Sequence, residues 1–478
     1  MKNILSKLST DPLILDHYSK DMVLRGHPRY VYEACDFDTA AEILAYCDAN
    51  HMPVTFCGSQ TSMTGASVAE DGVMIAMAKK NRILDIVKDP KSGGGFVVTE
   101  PGVILGDLKN AVIKEGLYYP PDPTSYGEAQ VGATVATNAT GEDTFRFGPT
   151  RVYVEELDLI GANGKSKTLA RKNPPRLLEP KNTAGYTLDA EDIDQIIGSE
   201  GTLGLITRLK LKLLPLTKPN VFLLILPFSS FENSLDAVVR IASHPDKPRA
   251  LELIGPGAGA YFKQGPNCPA ELKKEEIFLY LKDDYADENE FHTKTQNWFD
   301  RLARIYEDLG ETGSFKRLFL AQTHKQLEDI RECRHYIPLK VNEEYFPLAE
   351  VGGGKVGTDW WVPLHHLKEM MLQTYHEALD LKIPFLVFAH IGNGHPHWNF
   401  LTRNAKDKAI AHDFVLRQCR QAVLYGGGVA GEHGLGKIKR DLLQIQHSPK
   451  IIKKMAELKM KWDPNWILGR GNILKPPA

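Results

Sequence analysis

Three runs of small, hydroxyl-bearing and glycine residues constrain this chain more than any other feature. The first follows the apolar strand-like stretch Val54-Thr55-Phe56 and reads Gly58-Ser59-Gln60-Thr61-Ser62-Met63-Thr64-Gly65. The second follows the stiff turn Pro120-Pro121-Asp122-Pro123-Thr124-Ser125 and runs from Gly132 and Ala133 through Thr137 and Asn138 to Gly141. The third, Gly198-Ser199-Glu200-Gly201-Thr202-Leu203-Gly204, precedes an alternating strand. Small residues build poor cores, and glycine lets backbone N–H groups approach anionic oxygens closely. Three such runs therefore predict backbone packed against a large flat ligand. No G-x-G-x-x-G follows the first strand and no Gly-Lys-Ser/Thr occurs in the loop, so neither a nicotinamide Rossmann fingerprint nor a Walker loop is present.

The length, 478 residues, predicts two or three domains, and a hydrophobic content of 42% supplies their cores. A net charge of −2 gives no field that favours nucleic acid. The six cysteines are scattered without a C-x-x-C pair, which predicts reduced thiols and a cytoplasmic setting. The apolar stretch near the start, Pro12 to Leu15, is too short for a signal-peptide core. The run Val221 to Phe228 is too short to span a bilayer, and peripheral membrane contact stays open.

Periodicity predicts a helix over 38–50 capped by Asp38, strands at 73–77 and 96–99, a helix over 104–115, and strands at 152–160 and 205–213. Leu214 to Pro219 reads as a boundary. Beyond it come strands at 221–226, 250–254 and 277–282, a helix over 231–243, and helical stretches at 288–309 and 324–334. This pattern predicts an α+β domain built on an antiparallel sheet. The expected organisation is residues 1–217, then 218–425, then a segment 426–478 returning to the first domain.

Two C-terminal stretches carry chemistry. In Phe385 to Phe400, Asn393-Gly394 reads as a two-residue hairpin turn, which sets His390 opposite His397 with His395 on the same face as His397. Two imidazoles in register predict a metal site. In Gly426 to Gly436, Glu432 and His433 stand among glycines, where a carboxylate completes a ligand set and an imidazole serves as base near neutral pH.

The glycine runs together resemble the FAD-binding domain of vanillyl-alcohol-oxidase-type flavoproteins. The segments H-I-G-N-G-H-P-H-W-N and G-E-H-G-L-G-K-I-K-R resemble the FAD-linked D-2-hydroxyacid dehydrogenases, a family that includes D-lactate dehydrogenases and glycolate oxidase subunits, and the likeness covers nearly the whole chain. The resemblance implies an α+β fold, a vanillyl-alcohol-oxidase-type FAD-binding domain plus an α+β cap. It places non-covalent FAD against Gly58, Ser59, Gln60, Thr61, Ser62, Thr64, Gly65, Pro121, Asp122, Gly132, Ala133, Thr137, Asn138, Gly141, Glu200, Gly201, Ile206 and Asn472. It implies a divalent metal (zinc, manganese or iron) on His390, His397 and Glu432, with His433 as base. Arg334, four residues before Pro338, binds the substrate carboxylate in this reading. The chain departs from the family in carrying Asn393-Gly394-His395 where Asp-Gly-Asn is usual, and Ala430 where Ser is usual.

Relatives acting on 2-hydroxyglutarate tend to carry Lys-Tyr-Asp ahead of a residue matching Pro363. Here Gly357-Thr358-Asp359 stands there, and Lys355 is two residues away. A second carboxylate buried without a cation is costly, so the expected substrate is a D-lactate-like monocarboxylate, with Trp360 and Trp361 either lining its pocket or packing. The electron acceptor stays open between a quinone, a cytochrome, an electron-transfer flavoprotein and oxygen. A phenolic or alcohol oxidase, a non-redox flavoenzyme resembling alkylglycerone-phosphate synthase, and a FAD-binding protein without catalysis remain alternatives.

Overall fold

The computed structural model describes residues 4–175, 181–274 and 276–477. The chain divides into two units, one of residues 1–141, 148–216 and 430–478, the other of residues 142–147 and 217–429.

Unit 1 holds two sheets. Strands β1 (Tyr30–Glu33), β2 (Val54–Cys57) and β3 (Val73–Ala76) form a parallel sheet in the order β1-β3-β2. Every residue of β3 is buried, as expected for a central parallel strand covered on both faces. The helix Phe37–Ala49 packs Ala40, Ile43, Leu44 and Cys47 into this core. Its cap is Asp36 rather than Asp38: the Asp36 carboxylate accepts from the Thr39 N–H, and Asp38 falls in the first turn. The second sheet is antiparallel, in the order β4 (Ile83–Lys88), β5 (Gly95–Thr99), β9 (Leu205–Pro215), β7 (Val154–Ile160), β8 (Ser166–Ala170), with β6 (Leu117–Tyr118) pairing the end of β9. Along β9 the leucines alternate with charged residues and bury one face.

Unit 2 is built on a seven-stranded antiparallel sheet. Its strands are β10 (Asn220–Phe228), β11 (Ala250–Ile254), β12 (Ile277–Tyr285), β13 (Phe319–Ala321), β14 (Gly354–Gly357), β15 (Phe385–His390) and β16 (His395–Thr402), in the order β13-β10-β12-β11-β15-β16-β14. Phe278, Tyr280, Ile225 and Leu386 pack with Ile330, Ile337 and Val341 of the helix His324–Tyr345. That helix continues a further eleven residues beyond the predicted 324–334 stretch, straight through Pro338. A proline cannot donate to the carbonyl four residues earlier, which here is that of Arg334. The Thr323–Gln326 capping box and the buried apolar face keep the helix intact.

The hexapeptide Glu142–Phe147 is a part of unit 2 that no local sequence pattern marks. Lys282 pairs with Glu142 and, at 2.7 Å, with Asp143. Arg249 reaches Asp143 at 2.5 Å, and Arg146 reaches Asp284 at 2.9 Å. Phe145 lies flat against Gly392, where a Cβ would stand 2.9 Å from its ring.

Candidate active site

In unit 1 the loop after β2 is held by its own side chains. The Ser59 hydroxyl donates to the Glu128 carbonyl at 2.6 Å, and the Gln60 amide donates to the carbonyls of Lys20 at 2.6 Å and Tyr18 at 3.2 Å. Ser62 and Thr64 hydroxyls meet at 3.1 Å, and the Gly65 N–H donates to Asp21 at 2.9 Å. What remains free for a ligand is backbone: the N–H groups from Gly58 to Met63, Thr61 included, find no acceptor among the described residues. A Cβ on Gly58 would stand 3.2 Å from both Ala133 and the buried, unpartnered Gln130 Oε1. A donor loop without bulk beside an orphaned acceptor fits a phosphate-bearing dinucleotide.

The other predicted flavin contacts shape the same unit. Lys109 fixes the Pro121-Asp122 turn, donating to the Pro121 carbonyl at 2.9 Å and the Asp122 carboxylate at 2.5 Å. Gly141 lies so close to that turn that a Cβ would sit 1.9 Å from the Asp122 carbonyl oxygen. Gly132 presses on Pro101, the Thr137 hydroxyl donates to the Ala133 carbonyl, and Asn138 accepts from the Arg151 N–H. Ile206 is buried in β9 opposite Leu159. Glu200, with a left-handed φ of 52° beside Gly201, accepts from the N–H groups of Leu435 and Gly436, both at 2.7 Å. Burial raises its carboxyl to about 7 against the pull of those two N–H groups. Asn472 donates to the Ala66 and Glu200 carbonyls and accepts from Lys437, whose ammonium burial lowers to about 8.

The predicted base stands in this unit too. His433 is one-third exposed, with Nε2 3.6 Å from Glu432 Oε1 and Nδ1 3.5 Å from Lys439 Nζ. Glu432 Oε2 accepts from the Thr140 hydroxyl at 3.1 Å and from Lys181 Nζ at 3.0 Å. Lys181, whose side chain is fully buried, is a partner the sequence reading missed, because nothing in K-N-T-A-G-Y marks it.

In unit 2 the hairpin register differs from the predicted one. His390 faces His395, Ala389 faces Pro396, and Phe388 faces His397. The cause is the connection: residues Ile391–Asn393 form a 3-10 turn and Gly394 alone takes the left-handed region, at φ 67°. A type I′ turn needs positive φ at both Asn393 and Gly394. His390 and His397 nevertheless sit diagonally on one face, ring centroids 5.6 Å apart. His390 Nδ1 is 2.6 Å from Glu252 Oε1, and the other Glu252 oxygen accepts from Arg334. Burial opposes ionisation of Glu252, yet His390 and Arg334 prevail and pull its carboxyl down to about 2. Burial likewise disfavours the Arg334 charge, and Glu252 overcomes it and raises its pKa. Glu252 is the second residue missed; a lone carboxylate inside Ala250-Leu251-Glu252-Leu253-Ile254 was the available signal.

Lys355 Nζ donates to Asn342 at 2.9 Å and lies over the Phe346 ring. Thr358 is buried with its hydroxyl on the Pro396 carbonyl, and Asp359 is buried against His395. Trp360 and Trp361 are 0% and 2% exposed, which makes them packing residues in this structure. No helix among the described residues is long and apolar enough to cross a membrane.

Comparison with known proteins agrees with this architecture. Residues 28–170 match the FAD binding domain family and residues 218–473 match the family "FAD linked oxidases, C-terminal domain". The chain is 31% identical to a D-lactate dehydrogenase of Anaerostipes hadrus, over 97% of this chain and 93% of that one. It is 27% identical to a D-2-hydroxyglutarate dehydrogenase of Stutzerimonas stutzeri, over 98% and 96%. An alkyldihydroxyacetonephosphate synthase structure shares the fold, with a TM-score of 0.68 over 97% of this chain and 83% of that one at 17% identity. The α+β, vanillyl-alcohol-oxidase-type fold and the FAD-binding domain are thereby established, and the chain belongs to the FAD-linked oxidases, a family of oxidoreductases.

Proposed function

We propose that this oxidoreductase converts a D-2-hydroxyacid to its 2-oxoacid. What carries the reading is the buried chain Arg334–Glu252–His390, in which one carboxylate positions both a carboxylate-binding guanidinium and a metal-binding imidazole. When bound, FAD supplies the two-electron acceptor and a divalent ion the Lewis acidity that eases loss of the 2-hydroxyl proton. Arg334 binds the substrate carboxylate by a charge-assisted contact. His390 and His397 hold the ion, with Glu432 as the carboxylate the resemblance adds. His433 Nε2 takes the 2-hydroxyl proton. An anaerobic panel of D- and L-2-hydroxyacids tests the reading: D-isomers should bleach the flavin, and chelator-treated protein should lose the response with FAD still bound. Bleaching by L-isomers alone would overturn it.

The flavin is proposed to be non-covalent. Cys57, which precedes the donor loop, is buried and burial raises its thiol pKa, so it is a poor nucleophile. Acid precipitation should leave FAD in the supernatant, and yellow precipitate would show a covalent link.

The substrate is proposed to be a monocarboxylate, because Lys355 is committed to Asn342 and Gly357 offers no cation. We expect kcat/KM for D-lactate or a larger apolar D-2-hydroxyacid to exceed that for D-2-hydroxyglutarate. A tenfold preference for the dicarboxylate, about 1.4 kcal/mol, would reverse this reading. The electron acceptor is proposed to be a quinone, a cytochrome, an electron-transfer flavoprotein or oxygen, with a cytoplasmic location and peripheral membrane contact as part of the same proposal.

A further inference from the structure

Among the described residues, unit 1 buries four lysine or arginine side chains, and three of them have a carboxylate within reach. Arg151 pairs with Asp194 at 2.8 Å, Lys181 with Glu432 at 3.0 Å and Lys459 with Asp463 at 2.5 Å. The fourth, Lys437, has no such partner among the described residues. Its Nζ donates to the Asn472 side-chain oxygen at 2.8 Å and to the Gly65 carbonyl at 3.4 Å, both neutral acceptors. An ammonium carries three N–H donors, so one is left over. The charges of Glu70, Glu200 and Asp21 act on it from beyond ion-pair distance, Arg440 opposes them, and burial outweighs all four in holding its pKa down. A buried charge without a counter-ion is costly, and such a group ordinarily has a partner.

The place of this cation indicates what the partner is. The N–H groups of Lys437 and Ile438 both donate to the Thr64 carbonyl, at 2.9 and 3.1 Å. They tie the segment after Gly436 to the end of the donor loop, whose N–H groups from Gly58 to Met63 have no acceptor among the described residues. A Cβ on Gly65 would stand 3.6 Å from the Lys437 Cβ, so the lysine stem runs against the loop backbone. Backbone N–H groups supply only partial positive charge, whereas the pyrophosphate of a dinucleotide is a dianion. The loop has donors without a cation, and Lys437 is a cation without an anion.

We propose that Lys437, held by Asn472, supplies the positive charge that meets the FAD pyrophosphate at the donor loop. The anion that the buried ammonium lacks within the chain then comes with the cofactor. Loading with FAD compensates the charge and contributes to the affinity, as a charge-assisted contact does in a water-poor site.

The test compares the full-length FAD-loaded protein with Lys437→Gln and Lys437→Met. Flavin fluorescence released on dilution gives the FAD affinity, and the ³¹P resonances of bound FAD report on the pyrophosphate directly. Both variants should bind FAD about 10- to 100-fold more weakly, the range for losing a hydrogen bond to a charged group. Their ³¹P resonances should move. Competition separates the two ends of the cofactor: the affinity for ADP should fall by a similar factor, and that for riboflavin, which has no phosphate, should not change. Lys437→Met removes an uncompensated buried charge and keeps the apolar stem, so it carries the test if Lys437→Gln does not fold. A changed riboflavin affinity and flavin midpoint potential with unchanged ³¹P resonances would place the ammonium at the isoalloxazine and overturn the assignment. Unchanged FAD affinity and unchanged ³¹P resonances in both variants would overturn it too and leave Lys437 a packing residue. If the unaltered protein releases no FAD because the flavin is covalent, the ³¹P resonances decide alone.

Discussion

Flavin reduction by D-lactate is expected to slow about 10²- to 10⁴-fold in His433→Ala, the range for losing a positioned general base. The protein should keep its FAD, because the donor loop from Gly58 to Met63 and the Asn472 bracket do not depend on the imidazole. It should also keep its metal, since His433 lies outside the proposed ligand set. Stopped-flow absorbance measures the rate, and metal analysis and flavin content supply the controls. A rise in KM alone, or loss of metal with the rate, would mean that His433 binds rather than takes a proton. The histidine is suited to the task by its place: it is a third exposed, between Glu432 and Lys439, in a loop whose following N–H groups are clamped by Glu200. That clamp tolerates no side chain at residue 434, where a Cβ would stand 2.5 Å from a Glu200 oxygen at a backbone φ of 73°.

Local pattern made the elements legible. Alternation in Leu205 to Leu213 and apolar spacing in Phe231 to Ala242 each follow from a single buried face, and a face is visible in the sequence. The glycines and hydroxyls of the donor loop pointed to a ligand for a sound reason, although the structure spends several of those hydroxyls on fixing the loop and leaves the backbone as donor. What was not legible depends on turn geometry and on tertiary partners. Asn393-Gly394 carries the composition of a two-residue turn, yet the 3-10 turn at Ile391 shifts the register by two and gives His390 a different opposite number. The helix through Pro338 persists because a buried face outweighs one lost hydrogen bond. Lys181 and Glu252 each complete a charge pair with a residue far away in sequence, and no local pattern encodes such a pair.

Glu252→Gln is expected to destabilise the protein by about 3–5 kcal/mol, the cost of leaving a buried charge without its partner. The glutamine keeps the volume of the side chain, so cavity formation does not contribute; the loss comes from Arg334, whose side chain is 15% exposed and whose guanidinium is held by Glu252. The pH dependence follows the contacts that Glu252 makes with His390, the larger influence, and with Arg334. The folded-state carboxyl lies at about 2 against an ordinary 4.5, so folding favours the ionised form. Its contribution is present above pH 4.5 and is lost as pH falls from there towards about 2. At 1.36 kcal/mol per pH unit that interval amounts to about 3 kcal/mol, shared between the His390 and Arg334 contacts. Denaturant titrations at pH 7 and pH 4 should therefore show a smaller gap in Glu252→Gln than in the unaltered protein. The double variant Glu252→Gln with Arg334→Met should recover much of the lost stability, because it removes the stranded cation along with its partner. It should not recover turnover with D-lactate, since the guanidinium proposed to bind the substrate carboxylate is gone. Full stability in the single variant would mean that Arg334 is solvated in the native state, and the assignment of Glu252 as its structural partner would then be lost.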